Sequence, residues 1–140
     1  MKLLIINGPN LNLLGLREPE IYGNETLFDI ESWLINQPEV DDHTITWFQS
    51  NHEGELIERI HDAMGNVDGI VINPGALTHY SYALRDAIVA VNIPTVEIHL
   101  SDINTREEFR KISVVKDVCL AQLSGLGKKG YLEAIKKLIH

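Results

Sequence analysis

At 140 residues, 44 % hydrophobic and 23 % charged, the chain has the composition of one globular domain (1–140) with a single substantial core, which excludes a disordered or fibrous protein. Twelve Lys and Arg against twenty Asp and Glu leave a formal charge of -8, which excludes a broad basic face for nucleic acid or anionic lipid; a few converging Arg or helix N-termini can still hold a small anion. The lone Cys119 allows no internal disulfide, and the apolar start at Met1–Ile6 is too short for a signal peptide or membrane span, so a reducing cytoplasm is the expected setting.

In chain order, Leu3 to Ile6 is apolar at consecutive positions, as in a strand buried on both faces, and it stops at Asn7-Gly8-Pro9-Asn10. Leu11, Leu13 and Leu14 then read as packing residues. Gly15 and Asn24 bracket a polar, Pro-interrupted loop, Arg17 to Gly23. Thr26 or Asn24 is placed to cap a helix over Leu27, Ile30, Trp33 and Leu34 that ends before Pro38. Thr44 to Phe48 is the second strand, and Asn51-His52-Glu53-Gly54 leads into a helix presenting Leu56, Ile57, Ile60 and Ala63. Gly69 to Ile72 is the third strand, closed by Asn73-Pro74-Gly75-Ala76 and followed by a helix over Tyr82 to Ala90. Thr95 to Ile98 is the fourth. Asn104-Thr105-Arg106-Glu107 has the Asn-x-x-Glu spacing of a helix start. Asp117 to Leu123 is the fifth strand, and Tyr131 to Ile139 the last helix.

Strands alternating with helices predict an α/β fold: a flavodoxin-like, doubly wound, five-stranded parallel sheet of order 2-1-3-4-5. Ligands bind such sheets at the carboxyl ends of the strands, near the switch in strand order. Here those ends carry Asn7-Gly8-Pro9-Asn10, Ser50-Asn51-His52, Asn73-Pro74-Gly75, His99-Leu100-Ser101 and Ser124-Gly125, while Lys2, Asp68 and Lys116 mark the opposite edge. Small polar residues are concentrated where a site belongs.

Glu97 and His99, two apart in a strand, share a face, so His99 is either a hydrogen-bonded strand-end histidine or one oriented by a carboxylate. His79, past Asn73-Pro74-Gly75-Ala76, carries the same pair of readings. His52 and Glu53 serve the start of a helix. Asn10 and Asn12 hold a ligand or water, or satisfy backbone groups; Ser101 lacks a His-Asp partner set and reads as a binding or capping residue. Spacing matches no metal site and no Gly-rich phosphate loop, which weighs against a metal, nucleotide or flavin. In the loop, Tyr22 and Arg17 lie five apart where there is no core to fill; either this is plain exposed surface, or the guanidinium stabilises a phenolate whose acid ordinarily has a pKa of about 10.

Asn7-Gly8-Pro9-Asn10-Leu11-Asn12-Leu13-Leu14-Gly15, Arg17-Glu18-Pro19-Glu20-Ile21-Tyr22-Gly23, Ser50-Asn51-His52-Glu53-Gly54, Ile72-Asn73-Pro74-Gly75-Ala76, Thr78-His79, Ala83-Leu84-Arg85-Asp86, Glu97-Ile98-His99-Leu100-Ser101 and Arg106-Glu107-Glu108-Phe109-Arg110 together resemble type II 3-dehydroquinate dehydratase, in order and over nearly the whole chain. The resemblance implies a cofactor-free cytoplasmic lyase of the shikimate pathway, in aromatic amino acid biosynthesis, that removes water from 3-dehydroquinate through an enolate. Many members are dodecamers built as four trimers. It also implies roles: Tyr22 as base, Arg17 lowering its pKa with help from Arg106, His99 as acid, and Asn10 stabilising the enolate oxygen. Asn73, His79, Leu100, Ser101 and Arg110 would bind substrate, Glu97 would orient His99, and Asp86 would reach a neighbouring subunit's site. The chain departs from the pattern at Leu77, Tyr80 and Lys111–Val115, which bears on local packing and affinity rather than on the reaction. The competing reading for the same fold is a nucleotide- or partner-binding module without catalysis.

Overall fold

The structure is a computed structural model that describes residues 1–16 and 19–140, with Ile21 and Tyr22 described in backbone only. Five parallel strands, β1 (Lys2–Asn7), β2 (Thr44–Gln49), β3 (Gly69–Asn73), β4 (Thr95–His99) and β5 (Ala121–Ser124), form one sheet of order β2-β1-β3-β4-β5. The helices are α1 (Pro19–Tyr22, a single turn), α2 (Leu27–Ile35), α3 (Glu53–Asp62), α4 (Tyr82–Val91) and α5 (Lys129–Ile139).

Successive side chains of a strand point to opposite faces, so an unbroken apolar run can fill two cores at once. Leu3, Ile5, Val71, Val96 and Ile98 enter one core with Leu34 of α2 and Tyr131 and Ile135 of α5. Leu4, Ile6, Ile70 and Ile72 enter the other with Leu56 and Ile60 of α3 and Leu84 and Ile88 of α4. Strand order reverses between β1 and β3, where Asn7 lies opposite Asn73 and both chains turn away from the sheet. That divergence opens the cleft in which the site is built.

Local chemistry fixes the helix starts. Thr26 is the cap of α2: its Oγ1 accepts from Asp29 N–H at 3.1 Å and its own N–H donates to Asp29 Oδ2 at 3.0 Å. Ser81 caps α4 by accepting from Leu84 N–H, and its hydroxyl donates to Glu53 at 2.5 Å, tying the start of α4 to that of α3. His52 and Glu53 do stand at the start of α3.

Three expectations are corrected. The fifth strand begins at Ala121 rather than Asp117, because Lys116–Val118 forms a 3-10 turn and ladder pairing starts only where Leu120 N–H donates to the Thr95 carbonyl. Asn104 starts no α-helix. Asp102 Oδ1 accepts from Asn104 N–H at 2.9 Å and opens a 3-10 turn, Ile103–Thr105, that the extended backbone of Arg106 ends before a second turn, Glu108–Lys111. Leu11 and Leu14 are buried but Leu13 is 41 % exposed, since the 3-10 turn Leu11–Leu13 carries it to the outer side. No helix among the described residues is long and apolar enough to cross a membrane.

Candidate active site

Two loops interlock at the switch point, with Gly8 against Pro74 and Gly75 against Pro9. A Cβ on Gly8 would sit 2.4 Å from the Pro74 carbonyl oxygen, and one on Gly75 2.9 Å from that of Pro9. Gly8 N–H donates to the Asn73 carbonyl at 2.8 Å, so the two loops are welded at backbone distance. Gly8→Ala is therefore expected to cost about 2–3 kcal/mol of stability through overpacking. A lowered Tm checks this, and an unchanged one would mean that the loops can part without cost.

From this weld Asn10 emerges in the left-handed region, φ 71°, which Asn tolerates better than most residues. It is pinned there by β2: Asn10 N–H donates to Asn51 Oδ1 at 2.9 Å, while Gln49 Nε2 donates to the Gly8 carbonyl and to Asn51 Oδ1, each at 3.2 Å. On the sheet's other face Tyr131, fully buried on α5, donates to Asn7 Oδ1 at 2.5 Å. Burial raises its phenol, which keeps it a protonated donor beneath the cleft.

Asn10, Asn73, His79, His99, Leu100, Ser101, Arg106 and Arg110 all line one cleft, together with Pro9, Gly75 and Ile103. Eight residues singled out in the sequence thus converge. Glu97 lies directly behind His99 and is fully buried; its Oε2 is 2.5 Å from His99 Nε2. Arg17 and the Tyr22 side chain lie outside the described residues, while Asp86 is exposed on α4 and does not border the cleft of its own chain.

Burial pushes the Glu97 carboxyl up, but hydrogen bonding and charge attraction from His99, with hydroxyl bonds from Thr78 and Ser113, outweigh it and hold the group below its usual value. A carboxylate only accepts, so His99 Nε2 carries the proton and Nδ1 is the nitrogen left for chemistry. His79 is fixed differently. Its Nδ1–H donates to the Ile112 carbonyl at 2.7 Å, and Phe109 meets its ring edge-on, centroids 5.9 Å apart. Burial lowers its pKa, the Ile112 bond opposes this, and the positive charges of His99 and Arg110 add to the lowering. Neutral His79 thereby offers Nε2 as an acceptor for a ligand hydroxyl.

Arg110 lies over Phe109, 4.7 Å from ring centroid to guanidinium, and its Nε is 3.3 Å from Glu107. With Arg106 it gives this acidic chain one local concentration of positive charge, suited to a ligand carboxylate. Among the described residues no lysine lines the cleft. Among the described residues no group of three or more His, Cys, Asp or Glu is arranged to hold a metal ion.

The sequence missed the hydroxyls of Thr78 and Ser113, the Ile112 carbonyl, Phe109 and the Asn51 clamp. Ser113, Ile112 and Phe109 reach the site through 3-10 turns and a loop with no periodicity, and Asn51 acts through a backbone amide that sequence does not show.

A cleft at the switch in strand order of a flavodoxin-like sheet takes small molecules, and a carboxylate-held histidine inside it equips it for proton transfer. The family model described as Dehydroquinase class II matches residues 1–139. The 3-dehydroquinate dehydratase of Caldicellulosiruptor saccharolyticus is 57% identical over 98% of this chain and 95% of its own length. That of Bacillus subtilis is 53% identical over 97% and 92%. The crystal structure of type II dehydroquinase from Butyrivibrio crossotus covers 100% of this chain and 98% of its own, with a TM-score of 0.97 at 51% sequence identity. The chain belongs to the class II dehydroquinase family.

Proposed function

We propose that residues 1–140 act as one catalytic domain, a 3-dehydroquinate dehydratase of the shikimate pathway that removes water from 3-dehydroquinate to give 3-dehydroshikimate. The observation that carries this reading is the carboxylate-held His99 in a cleft that also offers Arg106 and Arg110 for an anionic substrate. In the first step Tyr22, as phenolate favoured by Arg17, takes a proton from the carbon beside the ketone, and the C–H electron pair moves onto the ketone oxygen as an enolate. Asn10, a cleft residue whose backbone is tied to Asn51, stabilises that developing charge. The enolate then collapses, the ketone re-forms in conjugation with a new carbon–carbon double bond, and the carbon–oxygen bond breaks as His99 Nδ1 delivers its proton, giving water. Tyr22 is left holding a proton and His99 lacking one, and solvent exchange restores both.

Asn73, His79, Leu100, Ser101 and Arg110 hold the substrate. The other tyrosines are poorly suited to the base: Tyr131 is sealed beneath the sheet as a donor, and Tyr80 and Tyr82 are 62 % and 66 % exposed outside the cleft. The direct test is the ultraviolet absorbance rise as the conjugated enone forms from 3-dehydroquinate. Steady turnover is expected from purified protein; a bound flavin or nucleotide chromophore without turnover would favour the binding-module reading instead.

Asp86 completes the site from a neighbouring subunit, within a cytoplasmic dodecamer built as four trimers. In support, Asp86 shares an outward face of α4 with the exposed Tyr82 and Val89, while its neighbour Arg85 is turned away to donate to the Val114 carbonyl at 2.8 Å. Mixing inactive Asp86→Ala and Tyr22→Phe chains is expected to restore part of the activity through hybrid trimers. Demonstrated subunit exchange without recovery would refute a shared site.

A further inference from the structure

Behind His99 lies a network of hydroxyls whose direction is forced. Ser113 Oγ receives two backbone donors, Val115 N–H at 3.3 Å and Lys116 N–H at 3.1 Å. A hydroxyl has two acceptor lone pairs and one proton, so the remaining proton of Ser113 goes to Glu97, whose Oε1 and Oε2 lie at 2.9 and 3.0 Å. Thr78 Oγ1, 3.0 Å from Ser113 Oγ, finds that oxygen already supplied with donors and gives its own proton to Glu97 Oε2. Every hydrogen bond here runs toward Glu97, which leaves that carboxylate nothing to do at His99 except accept.

We propose that Thr78 and Ser113 are positioning residues of the elimination: their hydroxyls fix Glu97 as a pure acceptor, so that His99 keeps one proton on Nε2 and always presents Nδ1 to the substrate. The inference rests on the reading of His99 as the acid. With Nε2–H held by Glu97, the second proton that His99 carries as imidazolium sits on Nδ1 and faces the substrate, whereas a ring free to turn would point it elsewhere.

The ionisable groups around Glu97 do not supply this control themselves. His99 is the group being oriented, and His79 is turned to Ile112. Arg110 lies over Phe109, Arg85 of α4 is bound to the Val114 carbonyl, and the Cys119 thiol, pushed by burial up to about 12, stays neutral. Removing a hydroxyl donor from a buried carboxylate favours its protonated form, so the acidity of Glu97 should fall.

The test uses the full-length protein with Ser113→Ala, Thr78→Val and the conservative pair Ser113→Thr and Thr78→Ser. In Ser113→Ala and Thr78→Val the Glu97 carboxyl, followed by 13C NMR, is expected to titrate about one pH unit higher. In both, kcat for 3-dehydroquinate is expected to fall about 10-fold with KM within about 2-fold, and the conservative pair to recover most of kcat. An unmoved Glu97 titration, or an equal loss in kcat with the conservative pair, overturns the proposal. If the variants do not fold, 15N NMR of the parent decides: neutral His99 is expected as the Nε2–H tautomer, and an Nδ1–H tautomer contradicts the network. Absence of turnover in the parent would remove the functional reading, while the NMR measurements would still report whether the network fixes the ring.

Discussion

His99→Gln is expected to lower kcat by on the order of 10² to 10⁴-fold while leaving the fold intact. The glutamine amide can still donate to the Glu97 carboxylate, so the buried charge keeps a partner and the core suffers little. What is lost is the imidazole at the end of β4 that we propose hands a proton to the leaving hydroxyl. The departing oxygen would then leave as hydroxide, and the loss belongs to the chemical step rather than to binding, so KM should move by only a few-fold. Steady-state kinetics alongside thermal unfolding checks this. Near-parental kcat would remove His99 from the mechanism.

Tyr22→Phe is expected to lower kcat by at least ~10²-fold, since phenylalanine keeps an aromatic ring but cannot accept a proton. Arg17→Ala provides the electrostatic counterpart. Without the guanidinium the phenolate is less favoured, so the rise of kcat with pH that reports the base should move to higher pH. An unchanged profile would mean that Arg17 only places the loop, and near-normal kcat in Tyr22→Phe would exclude that tyrosine as the base.

Much of this was legible in the sequence because its signals are local. Unbroken apolar runs ending in Asn, His, Ser and Gly marked the strands and their carboxyl ends, and alternation with helices marked a parallel sheet, for which β2-β1-β3-β4-β5 is one of the common doubly wound orders. Asn10, Asn73, His79 and His99 lie far apart in the chain, yet each ends a strand or sits in a turn facing that edge, so one rule gathered them; Arg106 and Arg110 came from the family resemblance. Asp117–Leu123 failed at its start because Lys116–Val118 is a 3-10 turn: Val115 and the partly buried Val118, three apart as that turn spaces them, pack against the core without joining the sheet. Thr78 and Ser113 were invisible for another reason. Their partner is a carboxylate 19 and 16 residues away, and they meet it only because Val114 N–H docks on the Thr78 carbonyl at 2.7 Å. The segment that departs from the family pattern thus still supplies a hydroxyl to Glu97 and a carbonyl to His79.

An elimination carried by proton transfer at the strand ends needs no lysine imine of the kind used by type I dehydroquinases. The lysines agree with it. Lys2 opens β1 at the far edge, Lys111 and Lys136 pair with Glu108 and Glu133, and Lys128 is held by Glu25 at 3.0 Å over the Trp33 ring. Lys129 and Lys137 are exposed. The decisive measurement is to add borohydride to protein and 3-dehydroquinate together, remove the excess, and record residual activity and intact mass. Full activity with an unchanged chain mass is the expected result; inactivation with substrate mass added at Lys128 or Lys129 would contradict the mechanism.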